Sequence, residues 1–447
     1  MIARLICWIL AMAMMSLTPV ARAEDGYDLW LRYRPADGAA AARIAAHANV
    51  IMAPGDSATM QAIRDELQRG VGGMTGTSPA LSDTIQPGAL WLATPKTAPA
   101  LPVKTNDLGQ EGYAIRSIRV EGKPVTLIAA NSDSGLLHGA FHWLRLAQSG
   151  AVLDAIDIRS APRIDLRLLN HWDNLDGTVE RGYSGSSIWD WWRLPDWKGP
   201  RYADYARANA SIGINGTVLN NVNAKSDSLT ASYIAKAAAL ADVFRPYGIK
   251  VYLSVKWTAP MELDGLKTAD PLDPTVAAWW KAKADEIYAA IPDFGGFLVK
   301  ANSEGQPGPQ DYNRTHADGA NMLAAAVKPH GGIVMWRAFV YSAEEPEDRV
   351  KQAYTEFVPL DGQFADNVLV QVKNGPLDFQ PREPFHPLFG AMPMTIPTIA
   401  PNRPMPTSSR STGSLPTMSS CRSRMARSTF SRASPFIRCS GRCPRRR

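Results

Sequence analysis

The stretch 294–304, FGGFLVKANSE, constrains this chain more than any other. Gly295-Gly296-Phe297-Leu298-Val299 carries no polar side chain, and Lys300, Asn302 and Glu304 follow at once. A run that apolar and that short reads as a strand buried on both faces. Lys, Asn and Glu are costly to bury unpaired, so they mark the place where the strand meets a site. The same punctuation recurs twice. Gly332-Ile333-Val334-Met335-Trp336 ends in Arg337. Asn367-Val368-Leu369-Val370-Gln371-Val372 ends in Lys373 and Asn374, with Asp378 after Gly375-Pro376-Leu377. Parallel barrels keep their chemistry at the C-terminal ends of their strands. Three cations and two carboxylates at such ends suit a site that grips an anionic sugar and hydrolyses beside it.

From residue 161 onward, strands alternate with long helical patterns, which implies βα units and a parallel sheet. The first strand is predicted over 164–169, ending in Asn170-His171-Trp172-Asp173-Asn174. The second covers 216–219 and ends in Asn220-Asn221; the third covers 250–255 and ends in Lys256-Trp257. Helices are predicted over 232–245, 275–290 and 318–327. Six units count toward the eight of a TIM (β/α)8 barrel. An open doubly wound sheet is the alternative, and no GxGxxG-type turn favours it. Residues 24–160 read as a separate N-terminal α/β domain. It has a strand over 27–34, an amphipathic helix over 58–69 followed by Gly70-Val71-Gly72-Gly73, and paired strands over 112–120 and 124–130. A helix over 134–147 follows. No catalytic constellation stands out there, and its expected role is support.

The two ends of the sequence differ from its body. Arg4, an apolar run over 5–20 and Ala21-Arg22-Ala23 have the form of a secretory signal cleaved after Ala23. The mature chain is then exported, to a periplasm or outside the cell; a retained membrane anchor is the alternative. The net charge of +6 misleads. Residues 401–447 hold 11 Arg and no Lys, Asp or Glu. Without them the 48 Lys and Arg fall to 37, against 42 Asp and Glu, a balance of −5. Nothing in the body argues for nucleic acid. Cys7 lies in the signal and Cys421, Cys439 and Cys443 lie in the tail, so no disulfide or Cys-ligated metal is expected in the body. Residues 391–447 show no strand or helix period. They read as an aberrant tail of the kind that GC-rich DNA gives out of frame, or else as a disordered basic segment.

The candidate site residues follow from the strand ends. Glu304, past the fourth strand beside flexible Gly305, is the candidate acid, since a glycosidase needs one carboxyl group to protonate the leaving oxygen. A solvated loop Glu in a salt bridge has the same sequence signature. Asp378 is the candidate second carboxylate, which an inverting enzyme places about 6.5–9.5 Å from the acid to activate water. Asp366 and Glu383 are rivals for that place. Lys300, Arg337 and Lys373 form a carboxylate-binding cluster if their strands are neighbours, Arg as a fork and Lys as a point charge. Pairing with the site's own carboxylates is compatible with that reading. Trp172 can stack on a sugar face, and Asp173 and Asn174 can bond hydroxyls. Trp189, Trp191 and Trp192 read as core or cleft wall. The seven His show no zincin spacing, and no Walker loop or GxSxG elbow is present, so no metal or other cofactor is expected.

HWDNLDGTVERGYSG with SIWDWW, FLVKANSEGQPGP, GGIVMWRAFVY and VLVQVKNGPLDFQPREPFHPLFGAMP closely resemble glycoside hydrolase family 67. The resemblance runs from about Glu24 to Pro393. It implies an α-glucuronidase that removes (4-O-methyl)-α-D-glucuronic acid from xylo-oligosaccharides, inverting and without metal. It also implies an N-terminal α/β domain, a central TIM barrel and a helical C-terminal domain. By motif, Glu304 matches the general acid and Asp378 one of two carboxylates at the base. Lys300, Arg337 and Lys373 match residues around the uronate carboxylate. Trp172 matches a substrate-contacting tryptophan, and Val222 a residue near the sugar's methyl substituent. The resemblance also implies a glutamate partnering Asp378 from the strand after FGAMP. Residues 394–410 contain no Glu. With that glutamate, the last two barrel units and the helical domain missing, the chain is expected to be an incomplete barrel, inactive, poorly folded and without the family's homodimer.

Overall fold

The computed structural model describes residues 25–338, 349–372 and 386–395. Lys373, Asp378, Glu383, the signal segment and the chain from 396 onward lie outside the described residues.

The first unit is a mixed sheet with helices. Its strands are β1 (Val50–Met52), β2 (Ala80–Leu81), β3 (Ala89–Ala93), β4 (Tyr113–Val120), β5 (Lys123–Ala130) and β6 (Asp157–Ser160), in the order β2-β1-β3-β5-β4-β6. β4 runs antiparallel to β5 and β6, and the other neighbours are parallel. Pairing of Val120 with Lys123 leaves only Glu121 and Gly122 between β4 and β5. Both have positive φ, 51° and 78°, as a tight primed hairpin turn requires. The helices are α1 (Gly38–Ala48), α2 (Ala58–Thr75) and α3 (Asp133–Gln148), capped by Asp37, Ser57 and Ser132.

Two expectations for this unit fail. Residues 27–32 form turns and 33–34 are irregular, so no strand forms over 27–34. Leu29 and Tyr33 take positive φ, 52° and 41°, which breaks a strand. The alternating aromatics dock instead: Trp30 Nε1 donates to Ser211 Oγ at 3.0 Å, and Tyr33 donates to Glu66. Helix α2 does not stop at 69 but runs through the glycines. A Cβ on Gly70 would lie 2.6 Å from Leu144, and one on Gly73 2.8 Å from the Tyr33 carbonyl oxygen. The glycines let α2 approach α3 and the 27–34 turn closely, at a modest cost in helix propensity.

The second unit is built from β7 (Leu168–Asn170), β8 (Gly216–Val218), β9 (Lys250–Val255), β10 (Gly296–Val299), β11 (Ile333–Ala338) and β12 (Val368–Val372). All pairs are parallel and every neighbour is consecutive in sequence. A doubly wound sheet reverses its order about a switch point. Sequential order is that of a singly wound barrel, so these strands form part of a TIM-type barrel. Helices α4 (Pro200–Ser211), α5 (Ala231–Phe244), α6 (Ala259–Asp264), α7 (Pro274–Ala290), α8 (His316–Val327) and α9 (Arg349–Phe357) lie between them, and α10 (Leu388–Ala391) follows.

Alternate residues of these strands face two different cores. Phe297, Val299, Val334 and Trp336 pack outward in one core with Trp280, Ile287 and Leu323 of the helices. Val218, Tyr252, Leu298, Met335 and Leu369 pack together on the inner face with Val222. A strand repeats every two residues. Lys300 and Arg337 therefore continue the inward rows of Leu298 and Met335, which are paired neighbours. The units are tied by Arg167 to Glu111 at 2.5 Å, and by Arg207 to Glu66 at 2.5 and 2.9 Å. The first strand begins later than expected because Arg167 binds the carbonyls of Gly213 and Ile164 beneath the sheet. Among the described residues, no helix is long and apolar enough to cross a membrane.

Candidate active site

Three strand ends and one long loop meet above the inner core. Lys300 follows β10 and is only 3% exposed. Its Nζ donates to Asn223 Oδ1 at 2.7 Å and to Glu304 Oε2 at 2.5 Å. Burial lowers the Lys300 pKa; Glu304 opposes that shift, and the nearby positive charges of Arg337 and Arg181 add to it. Arg337, at the end of β11, is 9% exposed. The Glu304 side chain is about two-fifths exposed and bridges two cations, since Arg181 Nη2 donates to Oε1 at 3.3 Å. The salt bridge that the sequence left open as the alternative for Glu304 is thus present.

The backbone under Glu304 is unusual. Asn302 and Glu304 have φ of 50° and 49°, and Gly305 has 78°. Gln306 N donates to the Ser303 carbonyl at 3.0 Å, closing a tight turn with Glu304 and Gly305 as its central pair. Left-handed backbone in a non-glycine residue costs about 1–3 kcal/mol and persists only where its surroundings hold it.

The loop after β7 supplies the facing wall. Asp173 is buried, with Oδ2 3.0 Å from His171 Nδ1, and Oδ1 accepting from Ser187 Oγ at 2.6 Å and from the Ile188 amide at 3.1 Å. Asn174 Nδ2 donates to Thr178 Oγ1 and to the Glu180 carbonyl at 2.9 and 2.8 Å, while its Oδ1 accepts from Asn221 at 3.0 Å. Both side chains are engaged in shaping the loop. Trp172 is half-buried beside them, and its carbonyl accepts from the Glu180 amide at 2.8 Å. Trp189 and Trp191 are core, whereas Trp192 is 68% exposed. Val222 belongs to the apolar inner floor with Leu298 and Met335. Asp366 precedes β12, at the far end of that strand, and pairs with Lys328 at 2.7 Å.

The structure therefore brings Lys300 and Glu304 into contact, sets Arg337 beside them, and places Val222 beneath. It adds Arg181 and Asn223, which the sequence reading did not single out. Asn223 follows a strand-end Asn pair, a signal that could have found it. Lys373 and Asp378 lie outside the described residues, as does the rival Glu383. Among the described residues, no group of three His, Cys, Asp or Glu is placed to hold a metal ion. A dehydrated ammonium and a guanidinium over an apolar floor can bind a carboxylate, and a carboxyl group beside the ammonium can exchange a proton with a bound ligand.

Residues 29–143 match the model of the glycosyl hydrolase family 67 N-terminus, and residues 146–400 match the model of the family 67 middle domain. The chain belongs to glycosyl hydrolase family 67. Curated relatives agree. The "Alpha-glucuronidase A" of Emericella nidulans is 42% identical over 404 residues, covering 85% of this chain and 46% of that one. The "Probable alpha-glucuronidase A" of Aspergillus terreus is 42% identical over 393 residues, covering 82% of this chain and 44% of that one. The "Alpha-glucuronidase" of Hypocrea jecorina is 39% identical over 415 residues, covering 88% and 48%. The chain spans about half the length of the curated relatives it matches.

Proposed function

We propose that this chain carries an α-glucuronidase site for the α-1,2-linked (4-O-methyl)-glucuronic acid side groups of xylo-oligosaccharides. The observation that carries the proposal is the contact of Glu304 with buried Lys300, with Arg337 on the neighbouring strand end. Family membership supports the same reading. The uronate carboxylate enters between Lys300 and Arg337, joined by Lys373. Arg337 presents a planar fork to it and Lys300 a point charge. The apolar floor around Val222 strengthens both interactions by excluding water. Trp172 lies against the sugar ring.

Glu304 is the general acid. Lys300 and Arg181 engage its two oxygens in the ligand-free site. A second carboxylate competing for Lys300 favours the protonated Glu304 that the acid step requires. Glu304 then gives its proton to the glycosidic oxygen of the departing neutral sugar. Asp378 takes a proton from a water that attacks the anomeric carbon from the opposite face as the glycosidic bond breaks, and the released glucuronate has inverted configuration. Export after cleavage at Ala23 belongs to the same proposal, and N-terminal sequencing of secreted protein beginning at Met1 would argue against it.

The test is incubation of the chain with glucuronic-acid-substituted xylo-oligosaccharides, followed by NMR of the released sugar. Release of the β-anomer of glucuronic acid first supports the proposal, and retention of the α-anomer contradicts it. A second reading, a carbohydrate binder without turnover, is favoured by one observation: residues 394–410 offer no glutamate to partner Asp378. Calorimetric binding of the same oligosaccharides with no release favours that reading. Neither binding nor release contradicts both and leaves a chain with no function of its own.

A further inference from the structure

We propose that Arg181 is a positioning residue for the candidate acid: from the first barrel unit it reaches across the site mouth and fixes the Glu304 turn of the fourth. The proposal rests on the acid reading of Glu304. Arg181 stands 123 residues from Glu304 and donates Nη2 to Oε1 at 3.3 Å, while Lys300 holds Oε2. The carboxylate is thus gripped at both oxygens, from two separate loops.

The base from which Arg181 reaches is itself anchored. Glu180 has φ of 59°, and Gly182 has 93°. Glu180 N donates to the Trp172 carbonyl at 2.8 Å, and its own carbonyl accepts from Asn174 and Asn221 at 2.8 and 3.1 Å. Its carboxylate lies 3.5 Å from Arg181 Nε. Of the seven non-glycine residues with positive φ among the described residues, Glu180, Asn302 and Glu304 all lie in or next to this one ion-pair network. Residues held in sparsely populated backbone regions cluster where surrounding structure over-determines them, as at functional sites. Two such turns facing each other, joined by a guanidinium and a carboxylate, form a clamp on the acid. Arg181 is more than half exposed, so its contribution to stability is small and its effect is on orientation.

The experiment compares the full chain with Arg181→Ala, Arg181→Lys, Glu304→Gln and the Arg181→Ala/Glu304→Gln double variant. Hydrogen exchange at the Gln306 amide, which closes the turn, reads positioning without any need for turnover. Arg181→Ala is expected to speed that exchange about tenfold, and Arg181→Lys to restore much of it. Calorimetry with glucuronic acid should give affinities within about twofold for the chain and Arg181→Ala. Where glucuronate is released, Arg181→Ala should slow release from xylo-oligosaccharides about tenfold while sparing glucuronosyl fluoride, whose leaving group needs no proton. It should add little in the Glu304→Gln background. Unchanged Gln306 exchange overturns the proposal, as do equal slowing on both substrates and a large loss of glucuronic acid affinity. If Gln306 exchange responds but Glu304→Gln spares xylo-oligosaccharide turnover, the clamp stands and the acid reading fails.

Discussion

Glu304 is fixed by both its side chain and its backbone. The carboxylate sits between Lys300 and Arg181, and the turn beneath it is left-handed at Glu304 and Gly305. Replacing Glu304 by Ala should slow release from xylo-oligosaccharides by a factor of about 10²–10⁴, the usual worth of acid–base catalysis. Glucuronosyl fluoride should be far less affected. Equal slowing on the two substrates would remove Glu304 from the acid role. For Arg337, Arg337→Ala should weaken binding of a glucuronate-bearing oligosaccharide by about 2–5 kcal/mol, the cost of truncating one partner of a buried charge pair. Binding of the matched glucose-bearing oligosaccharide should change little, and calorimetry on both ligands decides it. Lys300, Glu304 and Arg337 were legible because apolar runs ended in them. Arg181 was not, because its partner lies 123 residues away and the loop that carries it has no period.

At the scale of elements, the apolar runs foretold the barrel strands well where side chains alone decide the strand. β9 runs over Lys250–Val255 as its sequence pattern implies. β7 is shorter than its apolar pattern because the Arg167 side chain takes the local carbonyls. The 27–34 segment shows the opposite failure. Its alternation of aromatic and polar residues mimics a strand, but the aromatics serve contacts to Ser211 and Glu66 from distant helices. The glycines that open β10 carry their own constraint. A Cβ on Gly296 would lie 1.9 Å from the Ile333 carbonyl oxygen, and its φ is 128°. The Tyr252 ring lies against Gly295, 2.1 Å from where a Cβ would stand. Gly296→Ala should therefore cost about 2–4 kcal/mol through backbone strain and a forced shift of β10 against β11. Denaturant unfolding measures it. A loss below about 0.5 kcal/mol would mean that the strand pair is not as tightly placed as described.

Across the whole molecule, one apolar core runs from Leu31 to Met392, and it includes residues of both units. A buried ion pair crosses between them. Glu66 and Arg207 are 3% and 6% exposed, with Tyr33 bonded to the same carboxylate. Arg207→Met leaves Glu66 buried without its charge partner and should cost about 3–5 kcal/mol, whereas the Glu66→Leu/Arg207→Met double variant should recover most of that. Thermal unfolding reads both. The same experiment bears on acid sensitivity. Burial holds the pKa of His138, His142, His316 and His386 below the ordinary 6.5. The unfolded chain then binds protons first as pH falls. The stability these residues contribute is present above about pH 6.5 and is lost as pH drops through that value toward their lower folded values. The melting temperature should fall between pH 7.5 and 5, and His316→Gln should flatten that fall; a rise over the same range would contradict the burial of these rings.

The proposed function assigns the strand-end site a preference for an anionic sugar, whether or not the bond is cleaved. Calorimetry of the chain with two oligosaccharides that differ only in glucuronic acid against glucose at the side group tests this directly. The glucuronate-bearing ligand should bind at least about thirtyfold more tightly, in line with 2–5 kcal/mol for a buried charge pair. Equal affinity for the two ligands, or binding of neither, would contradict a uronate site at Lys300 and Arg337.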